Sequence, residues 1–132
     1  MMQILDEYIS ELSQDVKIDE FSMKDVQMKL PAIKHKWTGR LIRTKLEIDD
    51  NYREKSKLVR NLADMLIKES PVTIGLPLAL KKVEDHQKVR DINDKIKRLR
   101  LTVEFLEKAE RILNSVTFDI KNLVEIIKLE TL

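Results

Sequence analysis

Residues 32–69 read AIKHKWTGRLIRTKLEIDDNYREKSKLVRNLADMLIKE. These 38 residues contain no proline and one glycine, Gly39. Apolar side chains recur close to every 3.6 positions, as one face of an α-helix requires. They are Ile33, Trp37, Leu41, Ile48, Tyr52, Val59, Leu62 and Leu66. The stretch therefore predicts one long amphipathic helix with Trp37 and Tyr52 in its apolar register.

The same stretch concentrates positive charge. Between Lys34 and Arg60 there are nine lysines and arginines against four acids, an excess of five, whereas the whole chain has a formal net charge of +2. The rest of the chain therefore sums to minus three. A helix that gathers cations in this way is typical of surfaces that bind phosphate groups.

Six of these cations form two triplets with the spacing i, i+4 and i+7, which places each triplet on one helical face. The triplets are Lys36, Arg40 and Arg43, and Arg53, Lys57 and Arg60. One interpretation is a solvated face with Glu47, Asp50 and Glu54 as intrahelical partners. The other is a binding surface for phosphates, which the excess of cations over acids favours.

Composition predicts an all-α protein of one domain. The 132 residues are 42% apolar and 36% charged, with two glycines and three prolines, which is typical of long helices. We expect short acidic helices over 1–31, with a net charge of minus four over the first 33 residues, and the long basic helix over 32–69. Pro31 is well placed to begin that helix, because proline is favoured at the first helical position.

The second half of the chain starts with a break. Residues 70–81 hold two prolines and one glycine but are apolar, which predicts a packed loop, a short strand or a hairpin. A heptad helix and a C-terminal oligomerisation helix follow over 82–132, with Ser115 or Thr117 as the cap between them. The heptad seam predicts antiparallel pairing with the long helix or a coiled-coil contact between chains. Its residues are Val89, Ile92, Ile96, Leu99, Val103, Leu106 and Leu113.

Residues with catalytic potential are scarce in this sequence. There is no cysteine, His35 and His86 stand 51 residues apart, and no glycine-rich loop is available for a nucleotide phosphate. We therefore expect no enzyme activity, no metal and no cofactor. No apolar run approaches the roughly 18 residues that span a bilayer, so we expect no membrane partner.

Several segments together resemble a known family. They are Asp15-Val16-Lys17-Ile18-Asp19 after an N-terminal helix, the entry from Pro31 to Lys36-Trp37, Leu99-x-x-x-x-Glu104-Phe105-Leu106, Ile112-Leu113-Asn114, and Thr117-Phe118-Asp119-Ile120-Lys121-Asn122. The last three segments are the most specific. Nearly the whole chain is similar to the UvsY recombination mediator proteins of T-even-type bacteriophages.

This resemblance implies a fold and a function. The implied fold is a long antiparallel helical hairpin, with short N-terminal helices and a C-terminal helix, that assembles into a homo-oligomeric ring of six or seven subunits. The implied function is to bind single-stranded DNA and to load a phage recombinase onto DNA covered by the phage single-strand-binding protein. It would serve recombination, repair and recombination-dependent replication in the cytoplasm of an infected bacterium.

The resemblance also points to site residues. A Leu-Lys-Ala-Arg-Leu run carries much of the DNA contact in better-known members, and the matching stretch here is Lys57-Leu58-Val59-Arg60-Asn61-Leu62. We therefore expect Lys57 and Arg60 to lead DNA binding. The expected electrostatic support comes from Arg53, Lys36, Arg40 and Arg43. The alternative is a non-enzymatic helical adaptor or scaffold that does not bind DNA.

Overall fold

The structure is a computed structural model that describes residues 3–131. Within that range it contains four α-helices and no strand. The helices are α1 (Gln3–Asp15), α2 (Met23–Glu69), α3 (Leu76–Val83) and α4 (Gln87–Glu130). The expected all-α class is therefore confirmed. None of the helices between residues 3 and 131 combines the length with the apolar character needed to cross a bilayer.

The chain divides into two compact units. The described parts of residues 1–43 and 102–132 form one, here called the terminal unit, and Thr44–Leu101 form the other, here called the middle unit. Helix α2 passes from the terminal unit into the middle unit, and α4 returns. Each unit therefore contains one part of α2 and one part of α4.

The core of the terminal unit is built by α1, the first part of α2 and the second part of α4. Trp37 is its largest side chain and is fully buried, which confirms its predicted core position. The other buried members are Leu12, Val26, Leu30, Leu41, Leu106, Ala109, Leu113, Val116 and Ile120. Burying such side chains contributes about 1.5–3 kcal/mol for each large one, so this cluster fixes α1 against the two long helices.

The middle unit has a smaller core in which α3 covers the end of α2. Ala63, Ala79 and Val83 are buried, and Leu62, Leu66 and Leu80 are among the partly buried side chains around them. Small alanines at the contact allow α3 to approach α2 closely. This short helix therefore shapes the surface of α2 next to residues 55–60.

The expected helix start at Pro31 is wrong. Helix α2 begins at Met23 and continues through Pro31 without a break. Val26 and Leu30 precede the proline on the same buried face that Trp37 and Leu41 continue after it. Their packing outweighs the cost of about 3 kcal/mol that proline imposes inside a helix. The acidic N-terminal segment thus holds one separate helix, α1, rather than two.

Two further boundaries differ from expectation. The segment expected as a loop over 70–81 contains most of α3, which begins after Gly75 with Pro77 in its first turn. The C-terminal helix is not separate, because α4 runs unbroken from Gln87 to Glu130. Ser115 does not cap a helix start there, since its Oγ donates a hydrogen bond to the Ile112 carbonyl at 2.8 Å.

The heptad seam packs inside the chain. Val89 and Ile96 are buried in the middle unit, and Leu106 and Leu113 are buried in the terminal unit. Of the two expected uses of this seam, the structure therefore supports pairing within one chain. A contact between chains has to use other residues.

Candidate nucleic-acid interface

The first basic triplet lies in the terminal unit, where α1 covers part of it. Lys36 Nζ is 2.7 Å from Asp15 Oδ2 and 2.9 Å from Glu11 Oε2. Arg40 pairs with the same Glu11 carboxylate, with Nη2 at 3.3 Å from Oε1. Lys36 and Arg40, which the sequence predicted to bind phosphate, are therefore already paired with two carboxylates of α1.

Aromatic contacts hold Arg40 in this position. Its guanidinium lies 4.7 Å from the Tyr8 ring centroid and 4.8 Å from that of Trp37. The Trp37 ring also meets Tyr8 and Phe105 edge to face, at centroid distances of 5.6 and 6.2 Å. Trp37 Nε1 donates a hydrogen bond to Asp15 Oδ2 at 2.8 Å. These cation–π contacts restrict the conformation of the Arg40 side chain, which therefore packs at the border of the hydrophobic core.

These ion pairs shift the protonation equilibria of their members. Hydrogen bonds from Arg40 and Lys36 lower the pKa of the Glu11 carboxyl below its usual value. Burial opposes the charged form of Lys36, yet its hydrogen bonds to Asp15 and Glu11 raise the pKa of the ammonium above its usual value. Both groups are therefore ionised over the whole physiological pH range.

The second basic triplet lies in the middle unit and is open to solvent. Arg53 and Arg60 make single long ion pairs within α2, to Asp50 at 3.3 Å and to Asp64 at 3.6 Å. All four of these side chains are more than half exposed, so the pairs contribute about 0–1 kcal/mol each. Lys57 is exposed, and no ion pair in the described part of the chain includes it.

Arg43 differs from its two triplet partners. It is exposed at the edge of the terminal unit, and its two terminal guanidinium nitrogens lie near Gly39, where an added Cβ would be 3.8 Å from each. Among residues 3–131 it takes part in no ion pair. Of the six expected site residues, Lys57 and Arg43 thus have no ion-pair partner within residues 3–131. Arg53 and Arg60 have weak partners, and Lys36 and Arg40 are paired with carboxylates of α1.

The middle unit also contains basic residues that the triplets did not include. Lys55 and Arg60 line a groove of about 430 Å³ together with Tyr52, Ser56, Val59 and Leu80. Arg100 of α4 lies with its guanidinium 5.3 Å from the Tyr52 ring centroid. Tyr52 is therefore an aromatic partner of Arg100 within the middle unit.

Charge is distributed unequally between the two units. Residues 44–101 carry fourteen lysines and arginines against ten acids, whereas residues 1–43 and 102–132 together carry eleven against thirteen. The positive excess of the protein therefore belongs to the middle unit. A polyanion is attracted to this unit in preference to the other.

The described residues form an all-helical fold with an exposed, cation-rich helix, a combination typical of small helical proteins that bind nucleic acid. Residues 11–131 match the family model described as "Recombination, repair and ssDNA binding protein UvsY", and the chain belongs to that family. The resemblance seen in the sequence is thereby confirmed. The family description gives a binding activity for single-stranded DNA and places its members in recombination and repair.

The fold is also similar to a solved structure. The crystal structure of the bacteriophage T4 recombination mediator protein UvsY matches with a TM-score of 0.79, over 96% of this chain and 98% of that chain. The two sequences are 17% identical, so this similarity establishes the fold. A comparison with curated protein sequences gave no significant match.

Proposed function

We propose that this protein is a recombination mediator. It binds single-stranded DNA and loads a phage recombinase onto DNA that is covered by single-strand-binding protein, in the cytoplasm of an infected bacterium. This activity serves homologous recombination, repair and recombination-dependent replication, and it requires no catalytic residue. The observation that carries the proposal is the exposed positive surface of the middle unit in a chain of the UvsY family.

The six residues expected at the site have different roles in this proposal. Lys57 and Arg60 contact phosphates first, with Arg53 beside them on the same face of α2. Arg43 adds an exposed cation earlier on the helix. Lys36 and Arg40 supply electrostatic support at longer range, because their charges are largely balanced by Glu11 and Asp15.

We propose further that the protein acts as a homo-oligomeric ring of six or seven subunits. In the terminal unit, α4 buries Leu106, Ala109 and Leu113 on one side. At about 100° per residue, a second apolar group lies on the opposite side of the helix and is exposed. Its members are Phe118, Ile126 and Leu129, with exposures of 67, 51 and 72%. A helix with apolar side chains on opposite faces needs a partner on each.

Oligomerisation would also raise the affinity for single-stranded DNA. Three to six weak phosphate contacts on one protomer bind DNA poorly, whereas the same contacts repeated around a ring act at a high effective concentration. Each contact releases counterions, and the summed release makes binding strong and salt-dependent. Bound DNA that is bent by the ring would pass to a recombinase more readily than DNA held by a single-strand-binding protein.

The experiment that tests the binding surface is a titration of a labelled single-stranded oligonucleotide with the double variant Lys57→Ala, Arg60→Ala. We expect lower affinity for every sequence and a salt slope that falls by about 0.7 for each phosphate that is no longer neutralised. The matched control is Lys24→Ala, Lys108→Ala, which removes the same charge from exposed positions of the terminal unit. Equal affinity of the folded double variant and the wild type would refute the site assignment.

The alternative function is a helical adaptor without DNA binding. It predicts that the wild-type protein does not bind the oligonucleotide even at low salt, so that neither double variant differs from it in the titration. The loading step has its own test, in which recombinase filament formation is followed on DNA precoated with single-strand-binding protein. A mediator shortens the lag before filaments form, and an adaptor leaves the lag unchanged.

A further inference from the structure

We infer that the groove between α2 and α3 of the middle unit holds one nucleotide of single-stranded DNA, with its base against Tyr52 and its phosphates at Lys55 and Arg60. This inference rests on the proposed function and adds a base contact to the phosphate contacts. A base contact of this kind would explain why the protein prefers single-stranded DNA to duplex DNA.

The groove has the size and the chemistry for such an occupant. Its volume is about 430 Å³, within the range of small-ligand sites. Val59 and Leu80 supply apolar surface, Tyr52 supplies an aromatic ring, and Ser56 supplies a hydroxyl. Lys55 and Arg60 are at the same groove and carry positive charge. Apolar and aromatic surface beside cations complements a nucleotide, which joins a flat base to an anionic phosphate.

Tyr52 is held in place by a residue from another helix. The Arg100 guanidinium lies 5.3 Å from the ring centroid, within the range of a cation–π contact. No acidic side chain in residues 3–131 forms an ion pair with Arg100, so its charge is available near the ring. The tyrosine is half-buried. A ring restrained in this way loses little freedom when a base packs against it.

A base contact at this groove selects for single strands. In a duplex each base is paired and stacked between its neighbours, so its face is available only after unstacking. In a single strand the face is free. Because every base has a π-face, stacking on tyrosine tolerates any sequence. The groove therefore gives preference for single strands without preference for sequence, whereas exposed lysines alone attract both kinds of DNA.

The test compares Tyr52→Leu with Tyr52→Phe in the full-length protein. Removal of the ring is expected to lower single-strand affinity by about fivefold to 150-fold, which is the effect of removing one stacked base. The salt slope should stay at its wild-type value, because no charge is removed, and duplex affinity should not change. Tyr52→Phe should retain wild-type affinity. Helix content and unfolding temperature are measured on both variants.

A second measurement uses the wild-type protein, so it does not depend on how the variants fold. An oligonucleotide that carries 5-iodouracil is irradiated in the complex, and the adduct is mapped by mass spectrometry. We expect the adduct at Tyr52. Adducts confined to other residues, such as Tyr8, would overturn the inference, and so would a folded Tyr52→Leu protein with wild-type single-strand affinity.

The outcomes separate the two proposals. Binding that needs Lys57 and Arg60 but not Tyr52 would overturn the groove and leave the proposed function in place. Absence of any single-strand binding by wild-type protein at low salt would overturn both. Reduced affinity in Tyr52→Leu together with a Tyr52 adduct supports both.

Discussion

Two lysines of the long helix, Lys36 and Lys57, have opposite surroundings. Lys36 is two-thirds covered and touches two carboxylates, whereas Lys57 is exposed and is in no ion pair among the described residues. The two carboxylates that pair with Lys36 belong to α1, which packs on the first part of α2, so the difference comes from α1. The same residue type therefore serves packing at one position and is free for phosphate at the other.

This contrast predicts different effects for the same substitution. Lys36→Gln should lower the unfolding temperature and change the salt slope of DNA binding little, because its charge is already balanced. Lys57→Gln should leave the unfolding temperature unchanged and reduce the slope by about 0.7 for each phosphate that the lysine neutralises. Thermal melts and titrations at several salt concentrations measure both quantities. A slope that falls equally in the two variants would mean that Lys36 leaves its carboxylates for DNA.

Glu11 links stability to acid pH. Its pKa is lowered in the folded state by hydrogen bonds from Arg40 and Lys36, so its contribution is complete above the unfolded value near 4.5. The contribution is lost as the pH falls through the lower folded pKa. Because the carboxylate is partly exposed, we expect it to be about 1 kcal/mol at pH 7 after screening by solvent.

Glu11→Gln should therefore lower the free energy of unfolding at pH 7 and make it fall less steeply below pH 4.5. Urea unfolding between pH 3 and pH 7 measures this. Glu7→Gln is the matched control, because Glu7 is exposed on the same helix and is in no ion pair within residues 3–131. Parallel curves for Glu11→Gln and the wild type would contradict the proposed pairing.

Some residue-level features could be predicted from the sequence. The 3.6-residue period placed Trp37 in the core, and the spacing of Arg53, Lys57 and Arg60 placed them on one exposed face. The partners of Lys36 and Arg40 could not be predicted, because Glu11 and Asp15 are more than twenty residues away along the chain. Their pairing depends on how α1 docks, and an acidic helix followed later by a basic one was the sole sequence signal.

At the scale of helices, local signals and packing compete. Pro31 signalled a helix start, and Ser115 and Thr117 signalled another, but both long helices continue through these positions. In each case apolar residues continue on one face across the signal, and their burial is worth more than the local preference. At 76–83 the local signals predicted a loop, but this apolar segment folds into the helix α3, with Pro77 in its first turn.

Helix continuity at Pro31 leads to a testable stability change. Pro31 is exposed inside α2, where it removes one backbone hydrogen bond and crowds the preceding turn. Pro31→Ala should therefore raise the free energy of unfolding by about 1–3 kcal/mol, as measured in urea. If α2 instead began at Pro31, proline would sit at a favoured position, and the substitution would give no gain.

For the whole molecule, the two units divide charge and apolar surface between them. The middle unit holds the positive excess, and the terminal unit holds the second apolar face of α4. The sequence left two uses open for the heptad seam, pairing within the chain or a contact between chains, and four of its residues are buried within the chain. Periodicity identifies an apolar face but does not say which partner covers it.

We expect Phe118→Asp with Ile126→Asp to reduce the mass of the assembly, because both side chains are exposed on the second apolar face of α4. Single-strand affinity should fall at the same time, since the basic surfaces of separate protomers no longer act at a high effective concentration. Sedimentation and anisotropy measure the two effects. Met65→Asp is the control, as Met65 is 53% exposed on α2. An unchanged mass in the double variant would exclude this face as the interface.

We propose that an oligomer of this chain binds single-stranded DNA through the phosphates. The most direct test is an anisotropy titration of a mixed-sequence single strand at two salt concentrations, with a duplex control and with the mass of the oligomer determined on the same sample. We predict tight binding by an oligomer that weakens steeply with salt and that favours the single strand. No binding at low salt, where phosphate contacts are least screened, would contradict the claim.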